Sequence, residues 1–510
     1  MNQSPISNYL LFQMTIDSQL ILLPIFVPLI GAGVALLLRK RRPYQAAWSL
    51  ACMLLSFVVS LWLFAVVWQT GRPLVWQGGG WIAPFGISLV GDLLSLFFVV
   101  MTQVVMLMGM IYALGSQDKA VKYPAFLVLF LTLCTGLTGA FLTGDIFNLF
   151  VFAELLVISG TVLTAIADDE FGTEAAYKYF YMSLLASFFM LLGIGCLYVS
   201  YGTLNMADLA ARIQVQPNGL LLLPAIGFLL ATFMIKSAVF PFHFWQPDFH
   251  AASPTAVSAM LSSVVVKLGV YGFLRMAFLL FVAQTAQIRG LLLVLGVVGI
   301  LFGGVSAIGT HNVKRMLAYS TLAQIGFVLV GIGWGTPLAI TAALVFAFNH
   351  SLIKAAMLML AGFVASRASI KSASFAVVTG VGRPLPVAGV LFFVGSLALA
   401  GIPPTSGFIS KLLLFSSGIA AEEFWTLFII GVFSILTLVY TMRAFMRIWW
   451  QQPAEGISTK PAGDHLLAPI LLIGLILLLG IWASPLVDAA QAVSAWVLDP
   501  AAYVAAVLGN

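Results

Sequence analysis

The chain has 510 residues, of which 62% are hydrophobic and 8% charged; ordinary globular proteins carry about 25% charged residues. So little polarity cannot cover a water-soluble surface, and it excludes a disordered chain, a nucleic-acid binder and a secreted disulfide scaffold. The net charge of +6 is no sign of a polyanionic partner until the positions of the charges are known.

A membrane-crossing helix needs about 20 apolar residues. Fourteen runs meet that length, at 20–38, 46–68, 88–114, 123–143, 146–166, 177–200, 219–240, 253–281, 289–308, 313–333, 338–365, 385–416, 424–449 and 466–484. The first follows a polar, nearly uncharged N-terminus and precedes a basic cluster, the reverse of a signal peptide, so it is expected to remain as a span. No run alternates polar and apolar residues over about ten positions, as barrel strands do. The fold class read here is an all-α polytopic membrane protein with about 14 transmembrane helices. The mixed segments 201–218 and 486–507 are expected to lie along the membrane surface. Cys52, Cys134 and Cys196 are far apart in apolar runs; they read as packing residues, not as cluster or zinc ligands.

The positive-inside rule orients the spans. With the N-terminus outside, fifteen basic residues fall on the cytoplasmic side: Arg39, Lys40, Arg41, Arg42, Lys119, Lys122, Lys178, Lys314, Arg315, Arg367, Lys371, Arg383, Arg443, Arg447 and Lys460. Three fall outside: Arg72, Arg212 and Arg289. Both termini are then expected on the outer side.

Five basic residues remain within spans, Lys236, Lys267, Arg275, Lys354 and Lys411, with one mid-span acid, Glu154, and with Asp92 and Asp145 near span ends. A charge at the membrane centre costs about 2.5–3.5 kcal/mol on insertion scales and marks an interior, functional position. Arg275, near the end of its run, reads as snorkelling to the interface. The four lysines suit proton transfer. A buried ammonium can lose its proton and a nearby carboxylate restores it, whereas arginine stays charged. No run carries the regularly spaced arginines of a voltage sensor.

Helix breakers accompany these charges. Pro241 follows Lys236, and Pro403-Pro404 precede Lys411. Such backbone is tolerated at membrane depth only where it is buried or lines a water-filled cavity, and paired helix breaks point to an ion site. His350 and Lys354 share one helix face at i, i+4, a short titratable relay. Asp145, His243, His250 and Lys314 are secondary candidates, and His311 opens the segment that contains Lys314. No ligand-spaced cluster suggests a metal. No phosphate-binding glycine motif suggests a nucleotide cofactor. Energy is expected from an ion gradient or a partner subunit.

These residues carry a resemblance. GDIFNLFVFAELLVIS (144–159), PFHFWQPDFHAASPTAVSAMLSSVVVKLGVYGFLR (241–275), HNVKRMLAYSTLAQIGF (311–327), FNHSLIKAAMLMLAG (348–362) and GIPPTSGFISK (401–411) resemble, in order, the D-type subunits of Mrp-type multisubunit Na⁺/H⁺ antiporters. That family lies within the wider group holding the antiporter-like subunits of respiratory complex I and of membrane-bound hydrogenases. The resemblance runs from about Trp81 to Lys411. It implies two inverted five-helix repeats, spans 4–8 (123–281) and 9–13 (289–449), each with a broken helix. Spans 1–3 (1–122) would precede them, and span 14 with a surface tail (450–510) would follow. It also implies a polar axis along the midplane. Carried over by position, Glu154 and Lys236 would be the coupling pair, Lys267 the central link, His350 and Lys354 the continuation, and Lys411 the terminal proton exchanger.

Where many members of the group carry histidine in the tenth span, this chain has Gln324, which cannot titrate; that relay point would be replaced by water or lost. The absence of a long lateral helix and of further spans after span 14 favours the D-type. The function expected is proton movement along the Glu/Lys/His axis in exchange for Na⁺, with Li⁺ or K⁺ as alternatives. It would operate in a hetero-oligomer of hydrophobic subunits in a prokaryotic inner membrane, with no cofactor of its own. The competing expectation is a proton-pumping subunit of a redox-driven complex, with the redox groups on other chains. A passive scaffold or organic-solute carrier fits the lysine row poorly.

Overall fold

The computed structural model describes residues 18–166 and 169–509. The first 17 residues and Asn510, on which the expected placement of the termini partly rests, lie outside the described residues.

The chain is a helical membrane protein. Among the described residues, eleven helices are long and apolar enough to cross a bilayer, or twelve if a bent pair counts as one span. In chain order they begin with α1 (Leu23–Leu37) and α2 (Arg42–Thr70). A two-stranded antiparallel ribbon follows, β1 (Leu74–Gln77) and β2 (Ser88–Gly91), in the register Leu74↔Gly91 to Gln77↔Ser88. The ribbon is a small addition to a mostly helical fold: each strand has only four residues, too few to show as a barrel-like alternation.

Then come α3 (Leu93–Leu114), α4 (Pro124–Leu142), α5 (Ile146–Ala165), α6 (Glu170–Tyr201), α7 (Met206–Val215), α8 (Leu222–Lys236) and α9 (Trp245–Ala252). A long helix, α10, covers Thr255–Leu280 and contains two π-helical turns, Leu261–Val265 and Met276–Leu280. After it run α11 (Thr285–Gly309), α12 (Val313–Trp334), α13 (Pro337–Arg367), α14 (Pro386–Ala400), α15 (Ser406–Ala420), α16 (Phe424–Trp449), α17 (Leu467–Ile481), α18 (Ser484–Val497) and α19 (Pro500–Leu508).

The difference between fourteen apolar runs and eleven long helices has a local cause. The run 219–240 is helical only as α8, which stops at Lys236 before Pro241. The run 385–416 divides into α14 and α15 around Gly401–Thr405. Proline removes amide donors and clashes with the preceding turn, so an apolar run need not be one helix. The chain bends by 78° between α17 and α18.

Burial sorts the helices. α10, α12 and α13 are enclosed by protein along nearly their whole length, whereas α1, α2, α6, α11 and α16 leave more than half their residues to the surroundings. Those outer helices are apolar all round, as lipid contact demands. In the first half α4 packs on α5, and α5 and α8 on α6; in the second α11 packs on α12, α12 on α13, and α13 on α15. The α11–α12 contact is close because glycines face each other: a Cβ on Gly296 would lie 2.8 Å from the Gly326 carbonyl oxygen, the small-residue packing typical of membrane helices.

Candidate functional site

The three enclosed helices carry Lys267, Arg275, Lys314 and Lys354, together with His350, all buried. On α10, Lys267 is 0% exposed and follows the π-helical turn Leu261–Val265. That turn departs from the i→i−4 ladder, and the Ser263 carbonyl accepts the Ser351 hydroxyl of α13 at 2.9 Å. α13 is thereby docked so that Lys267 Nζ lies 2.5 Å from His350 Nδ1. One turn further along α13, Lys354 is also 0% exposed, and its Nζ donates to the Leu317 carbonyl of α12 at 2.7 Å.

The first break presents Lys236. It is the last residue of α8, where unpaired carbonyls give the helix end a partial negative charge. Among the described residues its Nζ has no hydrogen-bond partner. Ala238, two residues on, has φ 53°, a left-handed conformation costly for a residue with a Cβ. α10 reaches the break through Gly269, where a Cβ would collide with Ser237 Oγ. Glu154 on α5 accepts a hydrogen bond from Ser187 Oγ of α6. No direct ion pair joins Glu154 to Lys236 among the described residues.

The second break presents Lys411. Gly401 ends α14 with φ 82°, and a Cβ there would collide with Lys411 Cδ, so glycine is needed on both counts. The Ala400 carbonyl at that helix end accepts Lys411 Nζ at 2.6 Å. Lys411 and His350 are not in direct contact; they line a common cavity of about 10 Å³, with Gln324, Asn349 and Ser410 among its other walls. Asn349 Nδ2 donates to the Ser406 carbonyl at 3.0 Å and to Ser410 Oγ at 2.9 Å, which fastens α13 to α15.

The secondary candidates divide. His250 is fully buried on α9, with Nδ1 3.4 Å from Ser258 Oγ. Lys314 opens α12 and donates to the Ser253 carbonyl at 3.2 Å. Both are thereby tied to the stretch that joins α9 to α10. Asp145 is the N-cap of α5, with Oδ1 accepting from the Asn148 amide at 2.8 Å. Burial pushes its carboxyl above the usual carboxylate range, opposed by the Asn148 and Phe147 amides. His243, half-buried, faces a cavity of about 590 Å³ that Asp248, His311 and Arg315 also line.

Three charged features were not anticipated. Arg275 does not snorkel: its Nη2 pairs with Asp92 Oδ1 at 2.8 Å, with both side chains buried. Ser95 Oγ and Tyr271 Oη take two more of its N–H groups, at 2.9 and 3.0 Å, and Trp496 Nε1 donates to Asp92 Oδ2 at 2.8 Å. The placement of Asp92 near a span end was the available signal. Asp248 on α9 bridges Lys178 of α6 at 2.7 Å and Arg315 of α12 at 2.5 Å, and so ties three helices together. Asp464, buried in the connection from α16 to α17, accepts from Tyr112 Oη at 2.6 Å, Ser116 Oγ at 3.0 Å and the Gln117 amide at 2.8 Å. Its partners are some 350 positions away, and nothing local in the sequence marks it.

Comparison with known proteins bears on the whole chain. A family described as NADH:quinone oxidoreductase/Mrp antiporter, transmembrane, matches residues 143–437. The D-type subunit of the Na(+)/H(+) antiporter of Alkalihalophilus pseudofirmus is 31% identical over 494 residues, covering 96% of this chain and 99% of that protein. A chain of the Mrp complex from Dietzia sp. superposes with a TM-score of 0.88 at 26% identity, over 97% of this chain and 100% of that one. A chain of the membrane-bound sulfane sulfur reductase, an archaeal respiratory membrane complex, also gives 0.88, at 28% identity, over 96% of this chain and 100% of that one.

Proposed function

The chain belongs to the NADH:quinone oxidoreductase/Mrp antiporter transmembrane family, and on that basis we propose that it is the proton-carrying membrane subunit of a multisubunit Na⁺/H⁺ antiporter. It is a transporter subunit and not an enzyme. The D-type antiporter relative matches nearly end to end, and the superposed Dietzia chain comes from an Mrp complex. Its partners are other hydrophobic subunits of such a complex, and its ions are H⁺ and Na⁺, with Li⁺ or K⁺ as alternatives.

The observation that carries the proton role is the 2.5 Å contact of Lys267 with His350 at the centre of the buried row. In this reading Glu154 and Lys236 form the coupling pair of the first half, Lys267 and His350 are the central link with Lys354 beside it, and Lys411 is the terminal exchanger. Lysine can serve because its charge is lost or kept according to burial and neighbours. The two helix breaks, beside Lys236 and before Lys411, support two inverted five-helix repeats over 123–281 and 289–449, flanked by 1–122 and 450–510. Counting each broken helix as one span gives fourteen spans. The basic-residue asymmetry supports both termini on the outer side of a prokaryotic inner membrane.

A second reading is a proton-pumping subunit of a redox-driven complex. It draws on the equal superposition with the sulfane sulfur reductase chain. The same side chains would move protons there, while the redox groups would lie on partner subunits. Purification from native membranes separates the two: co-purifying hydrophobic subunits without flavin or iron–sulfur absorbance favour the antiporter, and redox subunits favour the pump. The proton assignment is tested by Glu154→Gln and Lys236→Ala in membrane vesicles. Both are expected to abolish Na⁺-driven proton movement with the complex assembled, and wild-type movement in either would refute the assignment.

A further inference from the structure

The row of lysines lies in the core, and a different site opens at the perimeter. The cleft of about 590 Å³ is walled by α6, α9, α12 and the turn from α11 to α12. That volume falls within the range of about 300–1,000 Å³ usual for bound small molecules. Two of the helices beside it, α6 and α11, leave more than half their residues to the surroundings, so lipid has access to it. The cleft is polar at one end and aromatic at the other. At the polar end stand His311 in the turn and Arg315 in the first turn of α12. At the aromatic end Phe244 is exposed, and so is Phe302 of α11, whose ring packs 4.6 Å from that of His243 and 5.1 Å from that of Phe240. Phe302 lies about 10 Å below the end of α11 at Gly309 by the helix rise, the direction in which an acyl chain descends from its headgroup.

Donors outnumber free acceptors at the polar end. Asp248 is the one acid of the lining among the described residues, and both of its oxygens are engaged, Oδ1 by Arg315 and Oδ2 by Lys178. Arg315 gives Asp248 a single nitrogen, Nη2, and its other N–H groups have no acceptor among the described residues. Its guanidinium also lies 5.7 Å over the Phe171 ring, which holds that planar group at the cleft wall. Of His311 only the carbonyl is hydrogen-bonded among the described residues, so its ring is unengaged. A phosphodiester supplies what is missing, a negative charge on oxygens that only accept. Arginine matches phosphate geometry well, and basic pockets between membrane helices bind lipid headgroups.

We propose that this cleft is a phospholipid site, in which Arg315 and His311 bind the phosphodiester and one acyl chain runs past Phe244 along Phe302. A free phosphate would meet the same donors. It would leave the aromatic end empty, and the aromatic end is what favours a lipid. The chain's charge pattern fits the placement, because Lys178 and Arg315 belong to the basic side of the molecule, where anionic headgroups are attracted.

The test uses the intact complex in phosphatidylcholine nanodiscs that contain a phosphatidylglycerol with a photoactivatable acyl chain. Irradiation is expected to label the peptides holding Phe244 and Phe302 more strongly than the one holding Phe188, an exposed residue of α6 that reports on bulk lipid. Excess inorganic phosphate should leave the labelling unchanged. Arg315→Gln is expected to lower the excess labelling about tenfold or more, through loss of hydrogen bonds to a charged group. Because Arg315 also pairs with Asp248, Gly309→Phe is read beside it. A Cβ on Gly309 meets nothing within 4 Å, so the new ring has room to fill the cleft while the fold stays intact, and the excess labelling should vanish. Labelling no stronger than at Phe188 in the wild type, or wild-type labelling in the assembled Gly309→Phe variant, overturns the proposal. Labelling abolished by inorganic phosphate assigns the cleft to a free phosphate and overturns the lipid. An electron cryomicroscopy map with a neighbouring subunit's side chains in the cleft overturns it as well.

Discussion

A lysine enclosed by apolar helices is tolerated only if something compensates its charge, and the compensation differs along the row. Lys354 and Lys411 donate to the carbonyls of Leu317 and Ala400, Lys267 meets a histidine, and Lys236 sits at a helix C-terminus. Arg275 is held differently, by Asp92, Ser95 and Tyr271 together. Its charge is fully paired, which suits fastening more than proton exchange. Asp92→Asn is therefore expected to leave a buried guanidinium without its counter-charge and to destabilise the protein by about 3–5 kcal/mol. Thermal unfolding of the detergent-solubilised complex would show it, and an unchanged midpoint would contradict this account of the pair. The lysines were legible in the sequence because a charge inside an apolar run stands out by itself. The Asp92–Arg275 pair was not, since its partners are 183 positions apart and each lies near the end of its own run. Pairing across that distance is decided by how α3 and α10 dock, which no local pattern records.

The elements that matter most are those that stop being regular. α8 and α14 end beside or just before a lysine of the row, and α10 inserts a π-helical turn just before Lys267. The prolines at 241, 403 and 404 announced the first two, because a missing amide donor has only a few backbone solutions. The π-helical turns left no sequence mark, being set by how α10 packs between its neighbours. The connection from α16 to α17 also escaped notice. Polar and short of periodicity, it reads as a surface loop, yet Asp464 pins it beneath the end of α3. Tyr112→Phe removes one of those three bonds and leaves one Asp464 oxygen short of a partner, a loss of about 1–3 kcal/mol. Limited proteolysis between residues 450 and 466 is expected to quicken severalfold in that variant, while an unaltered cleavage rate would show that Ser116 and the Gln117 amide suffice.

Across the whole molecule, the basic residues that charge arithmetic places on one side are brought together by contacts. Arg42 donates to the Val121 carbonyl beside Lys122, Lys371 pairs with Asp118, Arg367 meets the Pro461 and Asp464 carbonyls, and Lys178 and Arg315 share Asp248. At the other end Arg289 donates to the carbonyls of Gly333 and Trp334. A cysteine replacing exposed Lys371 is expected to react with an impermeant thiol reagent only from the cytoplasmic side. One replacing Arg72 should react only from outside, and the reverse pattern would invert the proposed topology. The burial of Lys236, Lys267, His350 and Lys411 was legible too, since each is a titratable group inside an apolar run. The direct meeting of Lys267 with His350, 83 positions apart, is a product of the assembled fold.

That meeting is where the central claim is most exposed. In vesicles containing the assembled complex, Lys267→Met removes the only titratable atom of that side chain while keeping an apolar stem in its place. The account predicts that Na⁺-driven proton movement falls to the level of vesicles lacking the complex, with subunit composition unchanged. Movement at the wild-type rate would contradict a proton path through Lys267 and His350.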